Sequence, residues 1–314
     1  MIRMTLDCDP GLGVPGANID DALALAVAAT APGLQLDLVT TVSGNTAANV
    51  GAAVAERLLA AWGRDVPVIA GQDSPLGAPN RDVSARTDRS DHPLAEQYWA
   101  GLDALRPQEV PPPTVDAADA LAAAVGSHPG EIVVVATAPL TNLARAFRRH
   151  SRLPEQISRL VLMGGALDVP GYRVETNLGL DPLAAREVLA APVPITVVPM
   201  DATIQTMLTA EQLHAMAVSG GPVARSLVPG VDPWVRFSAA TRGLPGCWLH
   251  DAVAVGLLVD PELVATRRAR VSVTNDGALV AGSGAAVDVV TRVDNTRLHA
   301  LLAAAFHTPI RTSA

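Results

Sequence analysis

The sequence contains no lysine, and all 23 of its basic residues are arginines. Without lysine, the chain has no ε-amino group to bind nucleotide phosphates in a P-loop or to form a Schiff base with a carbonyl group. This absence excludes P-loop nucleoside triphosphatases, Schiff-base enzymes and enzymes that depend on pyridoxal phosphate.

Cysteine and aromatic residues are also scarce, and the charge balance is negative. The two cysteines, Cys8 and Cys247, make no disulfide framework, and aromatics are only 3% of the residues, so Ala, Val and Leu must form the core. A net charge of -8 disfavours nucleic acid and anionic membranes as partners. No apolar run reaches membrane length, and no charged and apolar leader precedes the first predicted strand, so we expect a cytoplasmic protein.

The chain is long and apolar enough for a large core. Its 314 residues are 49% hydrophobic, and we expect one domain over residues 1–314. Apolar runs typical of strands alternate with Ala/Leu patterns typical of helices, which predicts an α/β fold with a doubly wound, mainly parallel, Rossmann-like sheet. Late in the chain, Asn275-Asp276-Gly277 lies between short strands predicted over 271–274 and 278–280, which predicts an antiparallel hairpin.

Two segments interrupt this alternation. Residues 71–113 are rich in Pro, Gly, Asp and Arg, with one helical candidate at 94–105, and so long a loop region is typical of a lid. A Pro/Gly segment near 229–233 predicts that a helix begins at Pro233 and ends at Thr241. The large aromatic residues nearby are expected in the core: Trp234, Phe237 and Trp248.

Four aspartates cluster at the first strand-to-helix junction. Asp7 and Asp9 end an apolar strand and point to the same side of it, while Asp20 and Asp21 open a helix predicted over 19–30. A helix dipole favours each nearby acid by only about 0.3 to 1 kcal/mol, too little to gather four like charges at one point. A cation is their natural partner.

The same junction contains Gly11-Leu12-Gly13-Val14-Pro15-Gly16, which matches the G-x-G-x-x-G pattern of dinucleotide-binding sites. The four aspartates would repel a pyrophosphate, and Pro15 lacks the amide hydrogen that a phosphate would bind. The acid about twenty residues further on, Asp37, lies inside the next predicted strand instead of at its end. The nucleotide interpretation is therefore disfavoured.

Ligands of parallel sheets bind beyond the carboxyl ends of the strands. The residues expected at that edge, besides the four aspartates, are rich in oxygen: Ser43-Gly44-Asn45, Thr137-Ala138-Pro139, Met163-Gly164-Gly165, Glu175-Thr176-Asn177, Asp201 and His250-Asp251. Such a set suits Ca²⁺ or Mg²⁺ better than zinc, and it could also hold the hydroxyls of a sugar.

In this order, the motifs resemble those of the inosine-uridine nucleoside hydrolases over most of the chain. The matching motifs are Asp7-x-Asp9-Pro10-Gly11 with Asp20-Asp21-Ala22, Ser43-Gly44-Asn45, Thr137-x-Pro139-Leu140-Thr141-Asn142, Met163-Gly164-Gly165, Glu175-x-Asn177 with Asp181-Pro182, and His250-Asp251. The resemblance implies hydrolysis of the N-glycosidic bond of ribonucleosides to ribose and free base.

The resemblance also implies a metal site. It places a Ca²⁺ ion on Asp9, Asp21, Asp251 and the backbone carbonyl of Thr137, and it makes Asp9 the general base on the Ca²⁺-bound water. Asp7 is implied to support this site from behind.

For the substrate, the resemblance places His250 near the leaving base as a catalytic residue. The ribose contacts that it implies are Asp20, Asn45, Met163, Glu175 and Asn177. The family's habit further implies a homodimer or homotetramer, while the base preference stays open.

Three departures from the family pattern stand out. An insert, Leu12 to Ile19, separates Asp-Pro-Gly from the Asp-Asp pair, and the site would survive if this insert bulges outward. In the lid, Ser90-Asp91-His92-Pro93 replaces a His-Gly pattern, so a substrate contact from His92 is in doubt. Ala252 stands where a proline is common.

Two other functions are compatible with an Asp-x-Asp motif after a first strand. In a phosphatase of the haloacid dehalogenase kind, Asp7 would attack phosphorus and Asp9 would act as the acid, but such sites usually need a lysine and a later Gly-Asp motif. A binding protein for sugars or nucleosides, without turnover, is the second alternative.

Overall fold

The structure is a computed structural model that describes residues 1–87, 92–107 and 114–309. The strands in these residues form one nine-stranded sheet in the order β3-β2-β1-β4-β5-β6-β9-β7-β8. They are β1 (Ile2–Cys8), β2 (Leu34–Thr41), β3 (Val68–Ala70), β4 (Ile132–Ala136), β5 (Arg159–Met163), β6 (Ile195–Val198), β7 (Val264–Val273), β8 (Leu279–Ala281) and β9 (Ala285–Val293).

The predicted sheet type is confirmed. Strands β1 to β6 and β9 are parallel to their neighbours in that series, whereas β7 is antiparallel to both β8 and β9. The hairpin begins much earlier than the apolar run indicated, because β7 already starts at Val264. The first part of this strand has no apolar pattern in the sequence, because its side chains are largely exposed and include Arg267, Arg268 and Arg270.

Helices cover both faces of the sheet. They are α1 (Asp20–Thr30), α2 (Ala48–Ala61), α3 (Arg81–Thr87), α4 (Pro93–Trp99), α5 (Ala117–Ser127), α6 (Thr141–Arg149), α7 (Leu153–Gln156), α8 (Thr176–Leu180), α9 (Pro182–Leu189), α10 (Met200–Thr203), α11 (Ala210–Ala217), α12 (Pro222–Arg242), α13 (Asp251–Val259) and α14 (Asn295–Phe306). Among the residues described, no helix combines the length and apolarity needed to cross a membrane.

Helix α12 corrects the prediction that a helix begins at Pro233. The helix starts eleven residues earlier, at Pro222, and runs through both Pro229 and Pro233. An internal proline costs a helix about 3 kcal/mol, because it removes a backbone hydrogen bond and crowds the preceding turn. Burial of Leu227 and Trp234 along the helix offsets this cost, so tertiary packing overrides the local signal.

The region 71–113 is more helical than expected in its described part. It contains α3, α4 and a short 3₁₀ turn at Asp103–Leu105, and Gly101 with φ +76° breaks the single helix predicted over 94–105. Helix α3 contacts α8, and α4 contacts α12. Ser90 and Asp91 lie outside the described residues, and the role of this region as a lid stays a prediction.

The strand order changes direction between β1 and β4, because the chain first builds outward to β3 and then returns to the other side of β1. At such a point the loops after the two neighbouring strands leave in opposite directions and open a crevice. The loops that follow β1 and β4 begin with Asp9 and Thr137. The topology thus selects this edge as the place for a ligand.

Candidate active site

A cavity of about 800 Å³, counting the space at its mouth, opens at the crevice between β1 and β4. All ten site residues named from the sequence line it: Asp9, Asp20, Asp21, Asn45, Thr137, Met163, Glu175, Asn177, His250 and Asp251. The rest of the lining is Gly16, Asn18, Tyr172, Thr176, Met200, Arg242 and Trp248. Residues spread over more than 240 positions therefore meet at one site.

Three buried carboxylates form the tightest cluster. Asp20, Asp21 and Asp251 can each offer an oxygen within 4.8 Å of the other two. Asp9 adjoins them, because its backbone N–H donates to Asp21 Oδ1 at 3.3 Å. The tight cluster thus includes Asp20, for which the resemblance implies a ribose contact. Asp9, for which it implies metal binding, lies at the edge of the cluster.

Burial makes this cluster unfavourable in its charged form. It raises the pKa of Asp9 and of Asp251 well above the ordinary value, and neighbouring carboxylates add to the effect. For Asp21, burial and then the charge of Asp20 raise the pKa from 3.8 to about 6. Asp20 Oδ1 is moreover buried without a hydrogen-bond partner in the described part of the chain. Such a set of carboxylates calls for a bound cation.

The donor set fits a hard cation. The clustered side chains supply only oxygen, and Thr137, whose backbone carbonyl the resemblance names as a ligand, lines the same cavity. This carbonyl accepts a hydrogen bond from Asn177 Nδ2 at 2.9 Å, which uses one of its two lone pairs. Ca²⁺ and Mg²⁺ prefer ligands of this kind.

Asp7 lies behind the cavity and does not line it. It is fully buried, and its Oδ1 accepts hydrogen bonds from Thr40 Oγ1 at 2.6 Å and from Asn142 Nδ2 at 2.8 Å. Burial raises its pKa from 3.8 to about 6, although both hydrogen bonds oppose the rise. Asp7 on β1 therefore links this strand to β2 and α6 through its hydrogen bonds. Because it is buried and does not line the cavity, it could not attack a phosphate there, and the phosphatase alternative loses its support.

Glu175 and Asn177 organise the wall opposite the first strand. Glu175 caps α8 by accepting from the backbone N–H of Asn177 at 2.8 Å, and it also accepts from that of Gly165 at 2.9 Å. The side-chain nitrogen of Asn177 donates to the carbonyl oxygens of Thr137 and Met163 at 2.9 and 3.2 Å. The amide oxygen is then the atom with which Asn177 can accept a hydrogen bond from a ligand hydroxyl.

The insert of residues 12–19 does not bulge outward. The side chain of Asn45 anchors the insert through two hydrogen bonds to the backbone of Asn18. It accepts from the N–H of Asn18 at 2.7 Å and donates to the carbonyl oxygen of Asn18 at 2.8 Å. Leu12 is fully buried, and Gly16 and Asn18 line the cavity. The carboxylates still meet, and the insert forms part of the wall.

His250 lies just before α13, where its backbone N–H donates to Asp20 Oδ2 at 2.9 Å. The imidazole lines the cavity, and its Nδ1 shares a hydrogen bond with Thr203 Oγ1 at 2.6 Å. The ring of Trp248 lies 6.0 Å away, centre to centre, in an edge-to-face arrangement. Trp234 and Phe237 are buried in the core as expected, whereas Trp248 belongs to the cavity wall, which corrects that expectation.

Two residues of the sequence analysis lie away from the cavity. His92 is exposed, accepts from the backbone N–H of Leu94 at the start of α4 and packs edge-on against Phe237. Asp201 accepts from the backbone N–H groups of Leu167 and Asp168 at 2.8 and 2.7 Å. Both therefore fix local structure.

Comparison with known proteins agrees with this geometry. Residues 4–300 match the model of the family described as inosine-uridine preferring nucleoside hydrolase. The chain belongs to that family. The resemblance inferred from the motifs is thereby confirmed, and the protein is an enzyme, a nucleoside hydrolase.

Two curated relatives of this nucleoside hydrolase carry more specific names. The pyrimidine-specific ribonucleoside hydrolase RihA of Citrobacter koseri is 30% identical over 287 residues, which are 90% of this chain and 86% of the relative. The non-specific ribonucleoside hydrolase RihC of Salmonella paratyphi A is 32% identical over 299 residues, 93% of this chain and 90% of the relative.

The solved structures give the same fold. A purine-preferring ribonucleoside hydrolase from Gardnerella vaginalis matches with a TM-score of 0.81 and 25% identity, over 97% of this chain and 98% of that one. The plant nucleoside hydrolase PpNRh1 matches with a TM-score of 0.81 and 24% identity, over 98% and 99%. The names of these relatives cover pyrimidine-specific, purine-preferring and non-specific enzymes, so similarity alone leaves the base open.

Several residues that line this nucleoside hydrolase site were not assigned to it from the sequence, and three of them have large side chains: Tyr172, Arg242 and Trp248. Tyr172 lies in a loop without a motif, and Trp248 had an ordinary core interpretation. Arg242 ends α12, where a basic residue is expected from the helix dipole alone. None of the three is part of a pattern that sequence reasoning could have found.

Proposed function

We propose that this nucleoside hydrolase uses a bound Ca²⁺ ion, held by Asp9, Asp21, Asp251 and the backbone carbonyl of Thr137. The observation that carries this proposal is the group of buried carboxylates, which come together around one point and include an oxygen of Asp20 without a partner among the described residues. Ca²⁺ accepts six to eight oxygen ligands in flexible geometry, whereas Mg²⁺ demands a near-ideal octahedron. A crowded site of carboxylates and a carbonyl suits Ca²⁺ better.

Asp9 is proposed as the general base. When bound, the ion would orient the attacking water, lower its pKa and contact ribose hydroxyls. Cleavage of an N-glycosidic bond passes through an oxocarbenium-like state, so a water must lose a proton as it adds to C1′. Asp9 is suited to take this proton because it lines the cavity beside the proposed ion, and the backbone N–H of Asn45 holds its Oδ2 in place at 2.7 Å.

His250 is proposed to donate a proton to the leaving base. A purine or pyrimidine departs as an anion unless it is protonated, and histidine is the side chain best able to donate near neutral pH. The hydrogen bond between Nδ1 and Thr203 Oγ1 fixes the ring, so Nε2 is the atom proposed to act on the base.

The ribose contacts are proposed to come from the remaining cavity residues: Asp20, Asn45, Met163, Glu175 and Asn177. Asp20 and the amide oxygen of Asn177 have acceptor capacity for hydroxyls. Glu175 and Asn45 also hold the wall through backbone hydrogen bonds, so their substitution would disturb the shape of the site as well as its contacts.

We further propose that the enzyme acts in the cytoplasm as a homodimer or homotetramer. The support is the family resemblance together with the net charge of -8, which disfavours anionic surfaces. Light scattering of the purified protein would give the mass, and a monomer would overturn the oligomer.

The experiment that tests the function measures ribose and free base released from uridine, cytidine, inosine, adenosine and guanosine. We expect turnover that is lost in excess chelator and restored by Ca²⁺ more fully than by Mg²⁺. Asp21→Ala should lose both metal and activity, because the ion would lack a charge and a ligand. Full turnover in excess chelator would overturn the metal proposal, and phosphate release without ribose release would overturn the reaction.

A further inference from the structure

The insert of residues 12–19 is fixed against the body of the protein. Leu12 is fully buried, and a Cβ added at Gly230 of α12 would lie only 2.7 Å from its side chain. The backbone N–H of Val14 donates to the carbonyl oxygen of Gly11 at 2.9 Å and closes a turn at the start of the insert. The insert therefore has a defined conformation, and the side chains that it presents to the cavity are held in place.

The last part of the insert occupies the side-chain amide of Asn45. Oδ1 of Asn45 accepts from the backbone N–H of Asn18, and Nδ2 donates to the carbonyl oxygen of Asn18 at 2.8 Å and to that of Asp9 at 3.3 Å. Both amide hydrogens of Asn45 are thus used within the protein, and a ligand can approach only the remaining lone pair of Oδ1. Asn45 therefore has no free amide hydrogen with which to donate to a ligand.

Asn18 offers the donor that Asn45 lacks. Its side chain is half-buried and lines the cavity. Oδ1 of Asn18 accepts from the backbone N–H of Ile19 at 2.8 Å, which orients the amide. The hydrogen bonds of Asn18 to other described residues use its backbone and this oxygen, so Nδ2 keeps both of its hydrogens for a ligand.

A ribose hydroxyl needs a donor as well as an acceptor, because its oxygen has two lone pairs and only one hydrogen. Ionised carboxylates can only accept, and the side-chain nitrogen of Asn177 already donates to two carbonyl oxygens. Two positions after Asn18, Asp20 Oδ1 is buried without a hydrogen-bond partner among the described residues. Asn18 and Asp20 thus offer one donor and one acceptor from a single short segment of the chain.

We propose that the insert supplies a ribose-binding residue, Asn18, whose Nδ2 donates to a ribose hydroxyl while the same hydroxyl donates to Asp20. This inference rests on the proposed function, which places the ribose at the carboxylates. A hydroxyl held at both its oxygen and its hydrogen has one orientation, which positions C1′ for the attacking water. Because the insert is a departure from the family's motif, the contact belongs to this chain and not to the family pattern.

The test compares the wild type with Asn18→Ala on uridine and its 2′-deoxy, 3′-deoxy and 5′-deoxy analogues, or on the inosine series if inosine is the better substrate. The measurements are kcat/KM for the ribonucleoside and the inhibition constant of each analogue against its hydrolysis. We expect kcat/KM to fall by about 3- to 12-fold, as for the loss of one hydrogen bond. The inhibition constants of two analogues should rise by a similar factor, whereas that of the analogue without the contacted hydroxyl should change less than about 1.5-fold.

Asn49→Ala is the matched control. Asn49 Oδ1 also accepts from the backbone N–H of the next residue, Val50, at 2.8 Å, but Asn49 does not line the cavity, so all four constants should stay at their wild-type values. Asn18→Asp keeps the oxygen that accepts from Ile19 and removes the donor. It should therefore lose at least as much as Asn18→Ala, whereas a purely structural role of Asn18 predicts wild-type constants for it.

Thermal unfolding of each variant monitors folding, and if Asn18→Ala does not fold, Asn18→Asp is compared with the wild type on the same four nucleosides. An unchanged kcat/KM in Asn18→Ala, equal factors on all three analogues, or wild-type constants in Asn18→Asp would overturn the role of Asn18. A wild type that releases no ribose from any nucleoside would overturn the proposed function itself.

Discussion

Asp9 combines two properties that exposed carboxylates do not have. It is buried, and its Oδ2 accepts a hydrogen bond from the backbone N–H of Asn45 at 2.7 Å. Asp9→Asn keeps an oxygen for the metal and the shape of the side chain, but it cannot take a proton. We expect kcat on uridine or inosine to fall by about 10² to 10⁴, while ribose still competes with the substrate.

Asp37→Asn serves as a control for the loss of a carboxylate. Asp37 lies in β2, pairs with Arg3 at 3.0 Å and is remote from the cavity, so kcat should stay near that of the wild type. If Asp9→Asn also kept the wild-type rate, Asp9 would be a ligand and not the base.

His250 is fixed from two sides, by the bond between its backbone N–H and Asp20 and by Thr203 Oγ1 at its ring. His250→Ala should slow natural nucleosides by about 10² to 10⁴, because their bases need a proton to leave. Thr203→Val removes only the partner of Nδ1, so we expect a smaller loss in the same direction. Nitrophenyl riboside, whose leaving group needs no proton, should react with both variants almost as with the wild type.

Comparing the rates on the two substrates distinguishes the possible roles of His250. Comparable losses on uridine and on nitrophenyl riboside would show that His250 only shapes the site. Unchanged rates on both would remove it from the reaction.

At the level of secondary structure, the insert 12–19 connects the acidic junction to the end of the helical region after α4. Arg57 on α2 donates to the carbonyl oxygens of Leu12 and Leu105 and so ties the two segments together. Gly13 has φ +93°, and a Cβ there would overlap the Leu105 carbonyl oxygen. The glycine is therefore required twice, by its backbone angle and by close packing.

Gly13→Ala should destabilise the protein and raise KM, because Gly16 and Asn18 of the same insert line the cavity. A positive φ alone costs an alanine about 1 to 2 kcal/mol, and the overlap with Leu105 should at least double this loss in the free energy of unfolding. The measurement is denaturant unfolding together with KM for the best nucleoside.

Gly101→Ala is the matched control for the backbone angle. Gly101 has φ +76°, and no atom lies within 4 Å of the position of its Cβ. Its substitution should cost only the backbone part and leave KM unchanged. Equal effects of the two alanines would show that the insert does not pack tightly against Leu105.

The secondary structure elements also show where sequence reasoning succeeds. The buried strand β4 is a continuous apolar run, and so is β5 after its first residue, Arg159, so their type and the parallel sheet follow from the pattern. The helix predicted from the sequence was shorter than α12, because a proline signals only the local cost to the helix. The burial of Leu227 and Trp234, which offsets this cost, depends on packing against other elements. The strand predicted from the sequence was also shorter than β7, because arginines on the exposed part of the strand interrupt its apolar pattern.

Across the whole molecule, the predicted site residues meet because the strand order reverses between β1 and β4. Motifs such as Asp20-Asp21 and His250-Asp251 could be found from the sequence, since each has a recognisable chemistry next to a strand or helix end. Arg242 could not, because only the packing of α12 brings it between two tryptophans. The single domain over 1–314 and the oligomeric state stay predictions.

The buried carboxylates connect the site to the stability of the whole protein. In the metal-free protein, the pKa values of Asp7 and Asp21 are raised from 3.8 to about 6. A folded-state pKa above the unfolded value means that the folded protein binds protons more tightly, so these groups favour folding at low pH and this contribution is lost as the pH rises through about 6. The surface carboxylates Asp119 and Glu187 have lowered pKa values and act in the opposite direction, but only in more acidic solution.

We therefore expect the metal-free protein to unfold at a higher temperature at about pH 5.5 than at about pH 8. Ca²⁺ at about a hundredfold excess over its Kd should add about 2.7 kcal/mol at pH 8, where the carboxylates are ionised, and less at pH 5.5, where protons compete for the same oxygens. Calorimetry with and without chelator at the two pH values measures both effects, and Asp37→Asn provides a carboxylate control outside the cluster. If the metal-free protein were instead less stable at pH 5.5, or if Ca²⁺ stabilised it equally at both pH values, the buried carboxylates would not be the groups that link metal, protons and folding.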